Sequence, residues 1–367
     1  MFRRSRLYFV VFCFVSALLT ADDFDGDRRT DMPVWRPSNG TWFVLTSSTN
    51  WSAASPTNRQ WGTAGDQPQM NTDFDGDRRA DMAVWRPSSG TWFVRTSSTN
   101  WNSTFSRQWG TAGDIPIVGT DFDGDGRTDM AVWRPSNGTW FVLTSSSNWT
   151  SSFSRQWGTA GDQPIMASDF DGDGKADMVV WRPSNGTWFV LTSSSNWTSS
   201  FSRQWGTAGD QVLMNTDFDG DRRADMTVWR PSSGTWFIRT SSTNWNGTIS
   251  RQWGTAGDQP ILNTDFDGDR RTDMAVWRPS SGTWFVLTSS TNWNAGSPIV
   301  RQWGTNGDRP LSATDYDLDG RADMTVWRPS SGTWFVLTSS SNWTSSFSRQ
   351  WGTNGDVTIA GDWLHRR

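Results

Sequence analysis

One line of sequence is written seven times in this chain, and the repetition limits the fold more than any other feature. The stretch "DFDGDGRTDMAVWRPSNGTW" at residues 121–140 recurs with small changes. The acidic runs begin at Asp23, Asp73, Asp121, Asp169, Asp217, Asp265 and Asp315, at intervals of 50, 48, 48, 48, 48 and 50 residues. Tryptophan keeps the same count. Trp133, Trp140, Trp149 and Trp157 mark one unit, seven such sets use 28 of the 29 tryptophans, and Trp363 is left over. Stacked units share one continuous core, so 367 residues need not mean two or three separate domains.

A period near 48 falls in the range of four-stranded propeller blades. Residues 163–210 show why. "QPIMAS" is a short apolar strand, followed by the acidic loop; "MVVW" is a second strand. "RPSNG" is a turn, in which Pro fixes φ and Gly supplies φ > 0. "TWFVLT" is a third strand, "SSSNWTSS" a polar loop, "FSRQW" a fourth strand, and "GTAGDQ" turns into the next unit. Units 1 and 6 are longer by two residues, each time between the loop Trp and the Trp of the fourth strand (Trp51 to Trp61, Trp293 to Trp303). Length variation confined to one loop is expected where strands are fixed. The predicted fold is all-β: a seven-bladed propeller of four-stranded antiparallel blades. Closure by a terminal strand would protect the edges of the ring. Two segments compete for that place, residues 357–363 ("VTIAGDW") and Leu18–Ala21.

The N-terminus reads as a targeting segment. Arg3, Arg4 and Arg6 precede an apolar run from Leu7 to about Leu19, with small residues at Val15-Ser16-Ala17 and at Ala21. The expectation is a signal peptide at 1–17, a single propeller at 18–367 and a secreted product with no membrane span; an uncleaved anchor is the alternative. Cys13, the only cysteine, lies inside this segment, so the mature chain has no disulfide to stabilise it.

The acidic loop has the pattern D-x-D-x-D-x-x-x-D. Carboxylates at positions 1, 3, 5 and 9 can converge on one cation, and the carbonyl at position 7 would add an oxygen. An all-oxygen cage of this kind suits Ca²⁺ better than Mg²⁺. The softer transition metals would want His or Cys. The candidate ligands are Asp23, Asp25, Asp27, Arg29 and Asp31; Asp73, Asp75, Asp77, Arg79 and Asp81; Asp121, Asp123, Asp125, Arg127 and Asp129. The series continues with Asp169, Asp171, Asp173, Lys175 and Asp177; Asp217, Asp219, Asp221, Arg223 and Asp225; Asp265, Asp267, Asp269, Arg271 and Asp273; Asp315, Asp317, Asp319, Arg321 and Asp323. The position-7 residue enters through its carbonyl. Up to seven Ca²⁺ are expected. The chain has no Glu, so the EF-hand, which ends its loop on a bidentate Glu, does not apply.

The loops are not equal. Position 4 is Gly in six of them and Leu318 in the seventh. Position 6 is Gly at Gly126, Gly174 and Gly320, and Arg at Arg28, Arg78, Arg222 and Arg270. If position 6 needs φ > 0, Arg is strained there, and the third and fourth loops bind most tightly. The chain from Leu18 carries a net charge of −7, which seven Ca²⁺ would turn to +7.

"DFDGDGKADMVVW" resembles the FG-GAP/VCBS repeat of integrin alpha-subunit propellers and many secreted bacterial proteins, and is also similar to certain fungal seven-bladed propeller lectins. The resemblance covers about residues 18–363. It implies seven blades with Ca²⁺ between the first and second strands of each. Leu318 and the four position-6 arginines depart from the pattern.

Elimination bears on function. His365 is the only histidine and lies at the extreme C-terminus. No Ser–His–Asp or Cys–His unit can be assembled in the body of the chain. Seven further aspartates, Asp66, Asp114, Asp162, Asp210, Asp258, Asp308 and Asp356, recur in "GTAGD" or "GTNGD". They are expected to cap their own turns, with a ligand-binding ring as the alternative. Trp35, Trp42, Trp61 and their equivalents are expected in the core. The loop series Trp51, Trp101, Trp149, Trp197, Trp245, Trp293 and Trp343 is the better surface candidate. The sequence therefore predicts a non-catalytic binding module for carbohydrate or cell-surface ligands. The alternatives are a structural or adhesion scaffold for extracellular protein partners and, third, a polysaccharide-active enzyme. With a net charge of −4 and no clustered basic stripe, nucleic acid is not expected as a partner, and a monomer is expected.

Overall fold

The computed structural model describes residues 22–359. Seven four-stranded antiparallel sheets follow one another, with no α-helix among the described residues. Blade 4 is typical: Gln163–Ile165, Met178–Arg182, Thr187–Leu191 and Ser200–Gln204. The sequence places these strands because β-branched and aromatic residues alternate between two turns. Met178 to Trp181 are all buried, whereas Ser200–Gln204 alternates exposed and half-buried positions, as an outer edge strand does.

The hydrophobic core lies between blades. One cluster joins Trp133, Trp140 and Val142 of blade 3 to Met178, Val180 and Leu191 of blade 4. Each blade alone has too little apolar surface for a core of its own, and stacking supplies it. Trp35 and Trp42 and their equivalents are fully buried, as expected. Trp61 and its equivalents are only half-buried. They lie against the next blade, where the Trp61 indole donates to the Phe93 carbonyl at 3.3 Å.

The turn "RPSNG" is as tight as its residues suggest. Gly138 has φ +67°, and a Cβ there would collide with the backbone of Gly158 in the following turn. No other residue fits both constraints.

The ring closes with the C-terminal strand. Val357–Thr358 pairs antiparallel with Met32–Arg36, with Val34 opposite Thr358 and Trp35 opposite Val357. Ile359 is fully buried in the core cluster that Trp35 and Met82 share. The competing segment Leu18–Ala21, the expected signal peptide, and the rest of the predicted closing strand with Trp363 lie outside the described residues.

Candidate metal centres

Each acidic loop folds by the same set of hydrogen bonds. In the third loop the Asp121 carboxylate accepts from the backbone N–H of Gly124 at 2.5 Å and of Gly126 at 2.8 Å. Asp129 accepts from Phe122 N–H at 2.7 Å with one oxygen, and from Ser145 N–H at 2.6 Å with the other. Asp123 accepts from the Ser146 hydroxyl and N–H, and Asp125 from the Ser145 hydroxyl. The serines begin the loop after the third strand. That "polar loop" therefore holds the aspartates in place, a role its composition did not reveal.

The result is a cluster of carboxylates. Ligand atoms of Asp121, Asp123 and Asp129 lie within 4.8 Å of one another, as do those of Asp73, Asp75 and Asp81, of Asp169, Asp171 and Asp177, and of Asp217, Asp219 and Asp225. In the first loop the grouped residues are Asp23, Asp25 and Asp27. A donor set of carboxylates with one backbone carbonyl fits a hard cation.

The electrostatics point the same way. Burial, followed by the charges of neighbouring aspartates, pushes the position-9 carboxyls up. Asp81, Asp225 and Asp273 rise to about 8, each with the position-3 Asp as the next cause. Asp129, Asp177 and Asp323 rise to about 7, chiefly through burial. Asp73 at position 1 rises to about 6 through burial. Carboxylates held in this way are costly to ionise without a cation beside them.

Position 6 does adopt φ > 0. Gly126 and Gly174 sit at +84°, and Arg28, Arg78, Arg222 and Arg270 at +66° to +72°. Leu318, at position 4, is also left-handed, at +61°. Charge compensation beside the cluster comes from position 7. Arg79, Arg127, Arg223, Arg271 and Arg321 each pair with the position-5 aspartate of their own loop at 2.6–2.7 Å.

Neighbouring loops are joined around the ring. The position-1 carbonyl of each loop accepts the position-8 N–H of the next: Asp23 from Ala80, Asp73 from Thr128, Asp121 from Ala176, Asp169 from Ala224, Asp217 from Thr272 and Asp265 from Ala322. Thr30 N–H to the Asp315 carbonyl, at 3.0 Å, completes the circle.

One expectation needs correction, and another holds with an addition. The loop tryptophans are not a surface series: Trp51, Trp101, Trp149, Trp197, Trp245, Trp293 and Trp343 are all buried. Trp197 stacks on Phe153 of the preceding blade, with ring centroids 4.5 Å apart and planes at 28°. Its own backbone is left-handed, following a left-handed Asn196, and this double reversal turns the ring inward. Polar neighbours in sequence gave no sign of that.

The "GTAGD" aspartates do cap their turns: Asp114 accepts from Thr111 N–H at 2.9 Å. They also do more. Asp114 forms a two-pronged ion pair with Arg134, Nε to Oδ1 and Nη2 to Oδ2, both at 2.8 Å. The same pair recurs in all seven blades. Each of these arginines also lies over a third-strand Phe, as Arg134 does over Phe141 at 4.5 Å.

Residues 121–180 match the family model described as an FG-GAP-like repeat. No curated protein matches the chain. Among solved structures, apo AztD from Citrobacter koseri is similar over 90% of this chain and 98% of that one, at 9% identity and a TM-score of 0.55. Streptogramin B lyase is similar over 81% of this chain and 89% of that one, at 9% identity and a TM-score of 0.52. Dihydro-heme d1 dehydrogenase NirN in complex with DHE covers 86% of this chain and 63% of that one, at 10% identity and a TM-score of 0.51. At such identities the likeness is one of fold alone. The match to residues 121–180 and the seven-bladed ring fit a propeller built of FG-GAP-like repeats.

Proposed function

We propose that this propeller is a secreted, calcium-loaded binding module that acts without catalysis, on carbohydrate or other cell-surface ligands. A propeller of FG-GAP-like repeats suggests a binding or scaffold role. One observation carries the finer reading: all seven blades keep the same loop, the same ion pair and the same strands. Near-identical blades present near-identical surfaces, which favours avidity for repetitive ligands such as glycans. An enzyme usually breaks its symmetry to build one reactive site. Among the described residues, the seven aspartates of the GTAGD and GTNGD turns are tied to arginines, as Asp114 is to Arg134.

In this reading the metal is structural. The four carboxylates and the position-7 carbonyl of each loop hold Ca²⁺, which neutralises the cluster and fixes the link between first and second strands. Binding only to the folded state contributes about 2.7 kcal/mol per site at a hundredfold excess over Kd.

A glycan array probed in Ca²⁺ tests the proposal. Binding to defined sugars supports it. Protein partners without any sugar binding would favour the scaffold alternative. Two of the similar structures are named as a lyase and a dehydrogenase, so a polysaccharide turnover assay belongs beside the array; turnover would overturn the non-catalytic reading.

A further inference from the structure

The blades differ in one place that neither fold nor metal explains. The fifth residue of the third strand is Leu45, Leu143, Leu191, Leu287 or Leu337 in five blades, and Arg95 or Arg239 in blades 2 and 5. The register is the same: Leu45 stands opposite Met32, and Arg95 opposite Met82.

This position lines the groove between blades. At the junction of blades 7 and 1, a groove of about 560 Å³ is lined by Leu45, Asn50, Trp51, Ser348 and Arg349. Arg59 and Arg203 occupy the register of Arg349, each opposite the Trp of the third strand (Trp42, Trp188, Trp334). By the same register, the equivalent positions between blades 1 and 2 and between blades 4 and 5 combine two arginines, Arg95 with Arg59 and Arg239 with Arg203. The other five have one.

The added arginines are held firmly and left short of acceptors. The Arg95 guanidinium lies 4.5 Å over the Trp61 ring, and that of Arg239 4.5 Å over Trp205. Nη1 donates to the Trp101 carbonyl in one and to the Trp245 carbonyl in the other, both at 2.7 Å. Nε is buried in both, without an acceptor among the described residues. A guanidinium offers five donors, and the salt bridges found here do not include either residue. Burial first, and the Arg59 charge second, lower the Arg95 pKa.

We propose that these two grooves bind an oxyanion, a carboxylate or sulfate carried on a saccharide. With Trp over the face, Nη1 held by a carbonyl and Nε buried, an incoming acceptor meets Nη2. The proposal refines the binding-module reading and rests on it for the saccharide, but not on the calcium loops.

Immobilised protein would be tested against polygalacturonate, dextran sulfate and neutral dextran. The double variant R95L/R239L restores the residue that five blades already have, so the fold is retained. R107Q/R251Q removes the same charge from the same two blades, at grooves that lack the second arginine. The expected result is capture of one or both anionic polymers and not of dextran, with affinity reduced at least tenfold in R95L/R239L and within twofold of the parent in R107Q/R251Q. Capture of polygalacturonate alone assigns a carboxylate, and of dextran sulfate alone a sulfate. Equal losses in both variants would show bulk charge attraction and overturn the proposal. No anionic capture by a protein that binds neutral glycans would overturn it too, and leave the binding-module reading standing. No capture of any glycan would count against both.

Discussion

Arg36 and Asp356 lie 320 residues apart in the chain and meet through two hydrogen bonds, Nε to Oδ1 at 2.7 Å and Nη2 to Oδ2 at 2.9 Å. Arg36 ends the second strand of blade 1, and Asp356 immediately precedes the C-terminal strand that completes the same blade. The Asp356 side chain is 1% exposed and that of Arg36 is 29% exposed. The pair fastens the ends of the ring, as its six counterparts fasten successive strands elsewhere.

Removing one partner should therefore cost more at this seam than on an ordinary surface. R36A leaves a buried carboxylate without its cation and should destabilise the protein by about 3 kcal/mol. A double variant R36A/D356A should be less harmful than the sum of the two single changes. Urea unfolding of the four proteins checks this, and strict additivity would refute the coupling.

The position-6 arginines offer a gain. Arg78 at φ +67° occupies a conformation that costs a side-chain-bearing residue roughly 1–2 kcal/mol. R78G should raise stability by about 0.5–1 kcal/mol, because Gly entropy in the unfolded chain takes back part of the relief. The same change in the calcium-bound protein should tighten the second loop. Thermal midpoints with and without Ca²⁺ would show it.

Trp197 illustrates how a sequence can mislead. Its buried stack on Phe153 means that W197A should cost about 3–5 kcal/mol. Glycan binding should survive in the fraction that folds. Loss of binding with unchanged stability would restore the surface role first expected of this residue.

The pH dependence should reverse with calcium. In metal-free protein burial pushes all seven position-9 carboxyls up, Asp81, Asp129, Asp177, Asp225, Asp273 and Asp323 to about 7 to 8, far above the value of an unfolded Asp. Between these values the folded state binds more protons than the unfolded state, so stability falls as pH rises from about 4 to 8. With Ca²⁺ bound the same groups are ionised in the folded state, and stability falls as pH drops. Asp114, Asp162 and Asp210 act in that second direction with or without metal. Burial raises them, but the paired arginine and the Thr N–H outweigh it, and they end below the usual range. The gap in melting temperature between Ca²⁺ and EDTA should widen from pH 5.5 to pH 8. A constant gap would contradict the assignment.

The strands and the blade count were legible because each unit states them by alternation and turn residues, and six further copies confirm the reading. The Asp spacing likewise pointed to the groups of three carboxylates that gather in the loops beginning at Asp23, Asp73, Asp121, Asp169 and Asp217. The ring closure was not decidable, since Leu18–Ala21 and the segment after Asp356 resemble the same strand. The Asp114–Arg134 pair was hidden because its members are 20 residues apart, in two turns that each make sense alone. Ser145 and Ser146 were hidden for a similar reason: a polar loop looks solvated until its backbone is seen to face the aspartates. Arg95 was visible as a departure from Leu, but only its stacking on Trp61 gives the departure a meaning.

The most direct test of the calcium-loop account is thermal unfolding of the protein in excess Ca²⁺ and in EDTA, with bound metal counted by elemental analysis. The account predicts about four to seven Ca²⁺ per chain, held in all-oxygen cages, and a large fall in the midpoint with EDTA. No bound metal and no shift would mean that the seven acidic loops stand without a cation, and the calcium assignment would fail.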